Sequence, residues 1–172
     1  MTEPNRELDN AAWLVAVVRE YEGPLVRYAQ RLLDDAHRAQ DVAQDTFVKL
    51  CREPRERIAG RVRAWLYSVC RNRAMDVLKK EQRMTTLTEP QAQELASRDR
   101  SPSATLERQE TLGQATAALA ALPANQQEVI RLKVLDGLSY REISGVTGLS
   151  VSNVGFLTHQ GIKTIREQLA CA

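Results

Sequence analysis

The sequence predicts an all-α protein with two small helical domains joined by a flexible linker, the second being a helix-turn-helix domain. Apolar residues recur at helical spacing in almost every patterned segment. A polar stretch with two prolines, 84–103, separates the patterned segments into two groups. Near the end of the chain, a short helix, a glycine turn and another helix follow one another. These observations place the domains at 10–83 and 104–170.

The first domain begins with apolar stripes that are separated by helix-breaking residues. Asp9 can cap a first helix, and the Gly-Pro pair at 23–24 should break or kink the chain before a second stripe at 25–33. Asp34 or Asp35 can cap the helix that follows. Three helical stripes are therefore expected before residue 51: one after Asp9, one at 25–33 and one after Asp34 or Asp35.

The helix predicted at 39–50 has the most regular apolar period in the chain and leaves an acidic, amide-bearing surface beside its apolar face. Residues 51–60 contain a proline and a glycine and have no period, so they predict a loop. From position 62 onward a long basic helix is expected. Four of its polar residues fall on one stripe, at spacings of 4, 3 and 4: Asn72, Asp76, Lys79 and Arg83.

The second domain has the local signals of consecutive short helices. After an amphipathic helix, Pro123 suits the start of a helix that Gly137 would stop. An S-x-x-E capping box at 139–142 opens the next helix. A glycine turn at 147–149 then precedes a final helix, which Ser150 can cap. This order is typical of a helix-turn-helix, although an ordinary helical hairpin can produce the same pattern.

Charge is concentrated in one part of the chain. The net charge is only +2, yet residues 55–83 carry nine basic and three acidic side chains, while residues 1–54 carry seven basic and ten acidic ones. A basic stretch of this kind favours a polyanion as a partner, and the acidic stretch favours a protein surface. A merely solvated helix face is the alternative interpretation.

The composition excludes several classes of protein. The chain has 172 residues, of which 43% are hydrophobic and 27% charged, as is usual for folded soluble domains. Its apolar runs are far shorter than the roughly 18 residues needed to span a bilayer, and its N-terminus lacks signal-peptide features. The three cysteines form no CxxC pair, and the two histidines have no neighbouring ligand. We expect a cytoplasmic protein with no membrane insertion, no metal site and no cofactor.

Three segments of the chain resemble the sigma-70 family of bacterial RNA polymerase initiation factors, in its small extracytoplasmic-function (ECF) branch. DAHRAQDVAQDTFVKL (35–50) is similar to region 2.2 of the family, and RVRAWLYSVCRNRAMDVLKKEQR (61–83) is similar to regions 2.3 and 2.4. LPANQQEVIRLKVLDGLSYREISGVTGLSVSNV (122–154) is similar to region 4. The resemblance implies a two-domain factor that binds core RNA polymerase and directs it to promoter DNA. It also implies regulation by an anti-sigma factor.

The resemblance further implies a division of the site residues among three surfaces. The clamp helices of the large polymerase subunit would be bound by Asp41, Gln44, Asp45 and Lys49. The minus-ten element would be read and melted by Arg61, Asn72, Lys79, Lys80 and Arg83, with the 51–60 loop as a pocket wall. The minus-thirty-five element would be contacted by Arg141, Ser152, Asn153, Gly155, Thr158, His159 and Lys163.

Two residues in the basic helix have structural alternatives to a DNA contact. Asp76 is spaced to form a helical ion pair with Arg73 or Lys80. Trp65 lies on the apolar stripe, which favours a core position over a platform for base stacking.

The final helix departs from the family pattern, because most members have a basic run there. Within 155–166, only Lys163 and Arg166 are cationic, which predicts weaker phosphate binding. Gly161 lies in mid-helix, where glycine costs about 1 kcal/mol relative to alanine. We therefore expect a close approach of another backbone at this position.

Two other classes of function are consistent with parts of the sequence. A stand-alone helix-turn-helix regulator would use its N-terminal half to sense a ligand or to dimerise, and would bind a palindromic duplex without polymerase. An enzyme such as a nucleic-acid hydrolase is not expected, because the sequence shows no phosphate-binding glycine loop, nucleophile triad or metal-ligand spacing.

Overall fold

The computed structural model describes the backbone of residues 3–85 and 106–170, and the side chains of residues 9–83 and 112–170. Every regular element in these ranges is helical, which confirms the predicted all-α class. The helices are α1 (Glu3–Leu33), α2 (Ala36–Arg52), α3 (Arg55–Ile58), a 3₁₀ turn (Ala59–Arg61), α4 (Val62–Thr85), α5 (Leu106–Ala120), α6 (Ala124–Val134), α7 (Tyr140–Thr147) and α8 (Val151–Ala170).

The chain forms two compact helical units, as predicted, and each is described by itself. The first contains α1 to α4, and the second contains α5 to α8. The predicted linker, 84–103, begins within the last two residues of α4, and its remaining residues lie outside the described part of the chain.

In the first unit, α1, α2 and α4 pack against one another around a single core. Leu25, Leu50 and Leu66 are fully buried there. The rings of Tyr28 and Tyr67 lie 5.1 Å apart between centroids, at an interplanar angle of 51°. A tilted aromatic pair of this kind contributes about 1 kcal/mol beyond the burial of its surface. This core holds the outer faces of α2 and α4 side by side.

Helix α1 runs without interruption through Gly23 and Pro24, so the predicted break is wrong. Proline removes one backbone donor from a helix, which favours a break when the helix is isolated. Here Val17, before the pair, and Leu25 and Tyr28, after it, are all buried. Packing on both sides therefore stabilises a helix that the local sequence would interrupt.

Residues 51–60 are mostly helical, so the predicted loop is also wrong. Ile58 is buried, and Arg55 connects the short helix α3 to the N-terminal part of α1. The Arg55 Nη1 atom donates to the Asp9 Oδ2 atom at 2.7 Å, and its guanidinium lies 5.3 Å from the ring centroid of Trp13. Asp9 is therefore an ion-pair partner in the interior of α1, where the sequence had predicted a helix cap.

The cap of α2 is Asp35, one of the two residues predicted for this role. Its Oδ1 atom accepts the backbone N–H of Arg38 at 3.0 Å. This hydrogen bond lowers the pKa of the Asp35 carboxyl below its usual value, because it favours the charged form. Asp34, which precedes the cap, adopts a left-handed conformation with a φ of 53°. The chain therefore turns sharply between α1 and α2.

The thiol of Cys70 lies in the core of the first unit, whereas Cys51 is exposed. Burial raises the pKa of the Cys70 thiol to about 12, because the apolar interior disfavours the thiolate. Since the thiolate is the reactive form, we expect a maleimide at neutral pH to modify Cys51 in the folded protein and Cys70 only after unfolding. Peptide mass spectrometry measures the two sites separately. Equal modification rates under native conditions would contradict this packing.

In the second unit, α8 packs against α5, α6 and α7. Its core contains the buried side chains of Val129, Leu132, Ile143 and Val154. Helix α6 ends before Gly137, which has a φ of 69° and so adopts the left-handed conformation expected of a glycine stop. The inner face of α8 therefore forms part of the core, and its outer face is exposed to solvent.

The turn between α7 and α8 has the features that the sequence predicts for a helix-turn-helix. Ser139 donates its backbone N–H to Glu142, and the Ser139 hydroxyl accepts the backbone N–H of Glu142, which forms a complete capping box. Gly148 ends α7 with a φ of 77°. The hydroxyl of Ser150 then accepts the backbone N–H of Asn153 at 3.2 Å and caps α8.

Gly161 is buried where α8 meets side chains of the preceding helices. A Cβ atom at this position would lie 2.4 Å from Ile130 Cδ1 and 3.2 Å from Leu122 Cδ1. The predicted close approach is therefore made by side chains, and no backbone atom is among the nearest contacts. The glycine lets α8 sit close to α6 without a steric clash.

Replacing Gly161 with valine is expected to destabilise the second unit by about 2 kcal/mol, because an overpacked core forces its neighbours out of position. The matched control is Gly145→Ala, since a Cβ at Gly145 meets nothing within 4 Å; this variant should gain up to about 1 kcal/mol from helix propensity. Both tryptophans lie in the first unit, so hydrogen exchange of the α8 amides is the appropriate measurement. Unchanged exchange in Gly161→Val would contradict the packing.

Candidate functional site

The outer face of α2 carries the four residues that were predicted to bind polymerase. The helix buries Ala39, Val42, Ala43, Thr46 and Leu50 against the core. Because buried positions recur every three or four residues, the intervening polar residues point outward. All four of these are exposed: Asp41, Gln44, Asp45 and Lys49.

Two ion pairs connect α2 to α4. The Arg73 Nε atom lies 2.8 Å from the Asp45 Oδ2 atom, and both side chains are about half exposed. Nearer the C-terminal end of α4, Arg38 contacts Glu81. Arg73 therefore pairs with a residue on another helix, whereas the sequence had suggested Asp76 as a partner within α4. Exposed pairs of this kind contribute less than about 1 kcal/mol each to stability, so their main effect is to orient the side chains.

A cleft of about 630 Å³ lies between α2 and α4. Asp45 and Lys49 line its α2 side, and Asn72 and Asp76 line its α4 side. The fold thus brings residues predicted for a protein contact next to residues predicted for a DNA contact. A second cleft, of about 380 Å³, is lined by Asp41 and Gln44 together with residues of α4.

The residues predicted for the minus-ten element extend along α4. Arg61, Asn72, Lys79, Lys80 and Arg83 are all exposed. Arg61 lies immediately before α4, and Arg83 lies near its end, so the set spans roughly 33 Å at 1.5 Å per residue. Trp65 is half-buried. Its exposure is therefore intermediate between a core position and an exposed platform for base stacking, the two roles weighed from the sequence. The basic side chains therefore form an extended, exposed surface along the helix.

In the second unit, most residues predicted for the minus-thirty-five element are accessible. Ser152, Asn153, His159 and Lys163 are exposed on α8, and Arg141 is exposed on α7. All but Arg141 lie on α8, and Ser152 and Asn153 lie in its first turn, where a helix in the major groove contacts base edges.

Two of the predicted α8 residues have a different environment. Thr158 is buried, and its hydroxyl donates to the Val154 carbonyl oxygen at 2.7 Å. Its predicted DNA contact is therefore wrong, because the side chain lies in the core and its hydroxyl is already bonded within the helix. Gly155 is partly buried, and a Cβ there would lie 3.7 Å from the Tyr140 ring.

Phe156 is an exposed α8 residue that the sequence analysis did not include. Its side chain is 59% exposed, four residues after Ser152 and three before His159. The available signal was this spacing, since residues three or four apart share a helix face. The residue type itself gives no such signal, because large apolar residues are usually in the core.

The described residues contain neither a candidate metal cluster nor a candidate membrane span. Among the side chains described at 9–83 and 112–170, no group of three or more His, Cys, Asp and Glu residues could hold a metal ion. None of the helices described at 3–85 and 106–170 has the length and hydropathy needed to cross a bilayer.

Comparison with protein families identifies both units. The model for sigma-70 region 2 matches residues 17–84, and the model for sigma-70 region 4 matches residues 112–165. The chain belongs to the sigma-70 family. In this sigma factor, α2, with Asp41 and Asp45 on its outer face, and the basic α4 fall within region 2, and the helix-turn-helix falls within region 4.

Several ECF RNA polymerase sigma factors are similar to the chain over most of its length and support its place in the ECF subfamily. SigE of Mycolicibacterium smegmatis is 26% identical over 90% of this chain, which covers 60% of SigE. SigM of Bacillus subtilis is 27% identical over 87% of this chain and 92% of its own length. SigL of Mycobacterium tuberculosis is 29% identical over 91% of this chain and 88% of its own length.

Two solved structures share the fold of this sigma factor. The sigma factor RpoE from Bartonella quintana, crystallised with the anti-sigma factor NepR, matches with a TM-score of 0.71 and 22% identity, over 94% of this chain and 97% of RpoE. CnrH, in complex with the cytosolic domain of CnrY, matches with a TM-score of 0.59 and 23% identity, over 92% of this chain and 88% of CnrH.

Proposed function

We propose that this ECF sigma factor binds core RNA polymerase and directs it to specific promoters. The observation that carries the proposal is the presence of region 2 and region 4 in order within one chain. A stand-alone regulator would use its N-terminal half to sense a ligand or to dimerise and would not need a region 2 there. The carboxylate-bearing outer face of α2 and the basic α4 beside it add the two surfaces that a polymerase-dependent factor requires.

The outer face of α2 would bind the clamp helices of the large polymerase subunit. Asp41, Gln44, Asp45 and Lys49 are exposed there and offer two carboxylates, an amide and an ammonium group. Charges placed opposite complementary charges on a partner mainly determine specificity and the rate of association. The Arg73 side chain orients Asp45 but leaves it half exposed, so the carboxylate remains accessible to a partner.

Helix α4 would capture and stabilise the melted minus-ten strand. Extruding a base from a duplex costs a few kcal/mol, which contacts to the single strand must offset. Lys79, Lys80 and Arg83 are exposed cations suited to phosphates, and Arg61 extends this surface to the start of the helix. Asn72 lines the cleft between α2 and α4, where its amide can hydrogen-bond to a base or to the backbone.

Helix α8 would enter the major groove of the minus-thirty-five element. Asn153 can pair with adenine through two hydrogen bonds, and Ser152 can contact several bases. His159 and Lys163 extend this surface along the helix, and Arg141 on α7 is placed to bind a phosphate. Gly155 can contribute only backbone atoms to such a contact.

An anti-sigma factor would regulate this activity by covering the surfaces that bind polymerase or DNA. RpoE from Bartonella quintana, which shares this fold, was crystallised with the anti-sigma factor NepR. We propose that this chain has a partner of the same class and that it acts in the cytoplasm, where core polymerase is found. The factor would require no cofactor and would catalyse no reaction of its own.

Reconstitution with core polymerase, followed by genome-wide mapping of transcription start sites, tests the proposal. The complex should initiate at a set of promoters that core polymerase alone does not use, and the isolated chain should bind duplex DNA weakly. If no complex forms at any salt concentration, the proposal fails. Tight binding of the isolated chain to a palindromic duplex would instead support a stand-alone regulator.

A further inference from the structure

Phe156 is a large apolar side chain in the middle of a polar surface. It is 59% exposed, whereas Val154 and Leu157 on either side are buried. On a helical projection, Phe156 lies within about 60° of Ser152 and His159. The ring is therefore at the centre of the exposed face of α8, on the side away from the core residues Val154 and Leu157.

The first turns of this exposed face suit base edges better than phosphates. Ser152, Asn153 and His159 provide hydrogen-bonding groups around the ring. The first cationic residue along α8 is Lys163, whose Nζ atom lies 3.8 Å from the carboxylate of Glu167. The part of α8 that would go deepest into the groove thus combines neutral polar groups with one aromatic ring.

Thymine is the base whose major-groove edge carries an apolar group, the C5-methyl. We propose that Phe156 contacts the C5-methyl of a thymine in the minus-thirty-five element and is a specificity-determining residue of this sigma factor. This inference rests on the proposed function, since it requires α8 in the major groove. Burial of the ring against the methyl would stabilise the complex. This gain would compensate for the small number of phosphate contacts that α8 can make.

The test combines a change in the protein with removal of the methyl group alone. Holoenzyme is assembled from core polymerase and the full chain, as wild type, Phe156→Ala or Phe156→Leu. Each thymine of a mapped minus-thirty-five element is replaced in turn by deoxyuridine, which lacks only the C5-methyl, and the dissociation constant is measured by competition. The control is Leu112→Ala, which removes another exposed apolar side chain of the same unit.

One deoxyuridine substitution is expected to weaken wild-type binding about three- to fivefold, because it removes one methyl group from an apolar contact. The same substitution should have no effect in Phe156→Ala and an intermediate effect in Phe156→Leu, and Leu112→Ala should behave like wild type. Equal sensitivity of wild type and Phe156→Ala at every position would overturn the inference, as would an element without thymine.

Assembly and initiation are measured with the same preparations, so the two proposals can fail separately. Failure of the wild-type chain to assemble or to initiate would count against the proposed function. If Phe156→Ala loses its attachment to core polymerase, then Phe156 is a protein contact and the inference about thymine is wrong. If the holoenzyme forms and initiates without any coupling to deoxyuridine, the proposed function stands and the inference fails.

Discussion

Reversing the charges of Asp41 and Asp45 together to lysine is expected to lower the affinity of the sigma factor for core polymerase by about 100-fold. Both carboxylates are exposed on α2, and like charges brought together across an interface cost several kcal/mol. Each factor of ten corresponds to about 1.4 kcal/mol. Fluorescence anisotropy of a labelled chain titrated with core polymerase measures the effect.

Two controls separate the polymerase contact from other consequences of this change. Arg73→Ala breaks the ion pair with Asp45 and leaves both carboxylates in place, so polymerase binding should change by less than about threefold. The double variant Glu20→Lys and Glu22→Lys produces the same change in net charge at exposed positions of α1 and should bind normally. If the α1 variant loses as much affinity as the α2 variant, the effect is one of overall charge, and the proposed surface is wrong.

Replacing Lys79, Lys80 and Arg83 with alanine is expected to reduce promoter opening at least about tenfold. The three cations are exposed at the end of α4, where they would neutralise phosphates of the melted strand. Losing three such contacts should also reduce the slope of log affinity against log salt by about 2, at roughly 0.7 per single-strand phosphate. A fluorescent base analogue in the minus-ten element measures opening by the holoenzyme.

A charge-matched control and a modified template identify the step that is affected. The double variant Lys79→Ala and Lys80→Ala is compared with Arg19→Ala and Arg27→Ala, which removes two exposed cations from α1 and should leave opening unchanged. A template that is already unpaired at the minus-ten element should restore much of the lost activity, because the unpairing energy is then no longer required. Normal opening of duplex promoters by the triple variant would refute the role of α4.

Several local features of the fold could be predicted because the groups involved are close in sequence. Asp35 caps α2, Ser139 and Glu142 form the capping box, and Gly148 adopts the left-handed conformation. Each of these features depends on hydrogen bonds or dihedral angles within a few residues. The outward direction of Asp41 and Asp45 was similarly accessible, since the period of α2 places its buried residues on the opposite face.

Other features could not be predicted because they depend on parts of the chain that are distant in sequence. Pro24 does not break α1, because buried residues on both sides of it belong to one core. The segment around Arg55 is helical and is tied to Asp9, which lies 46 residues earlier. Arg73 pairs with Asp45 across two helices, whereas the sequence suggested a partner on its own helix.

The amino-acid sequence by itself determined that this protein is helical, where α2, α7 and α8 are capped, and that it has a sigma region 2 and a sigma region 4. Those properties follow from periodicity, caps and motifs, which act over a few residues. Only the tertiary structure decided which side chains of α8 are accessible. Thr158 is buried because it lies on the face of α8 that packs into the core, where its hydroxyl is bonded within the helix, and Phe156 is exposed because it lies on the opposite face.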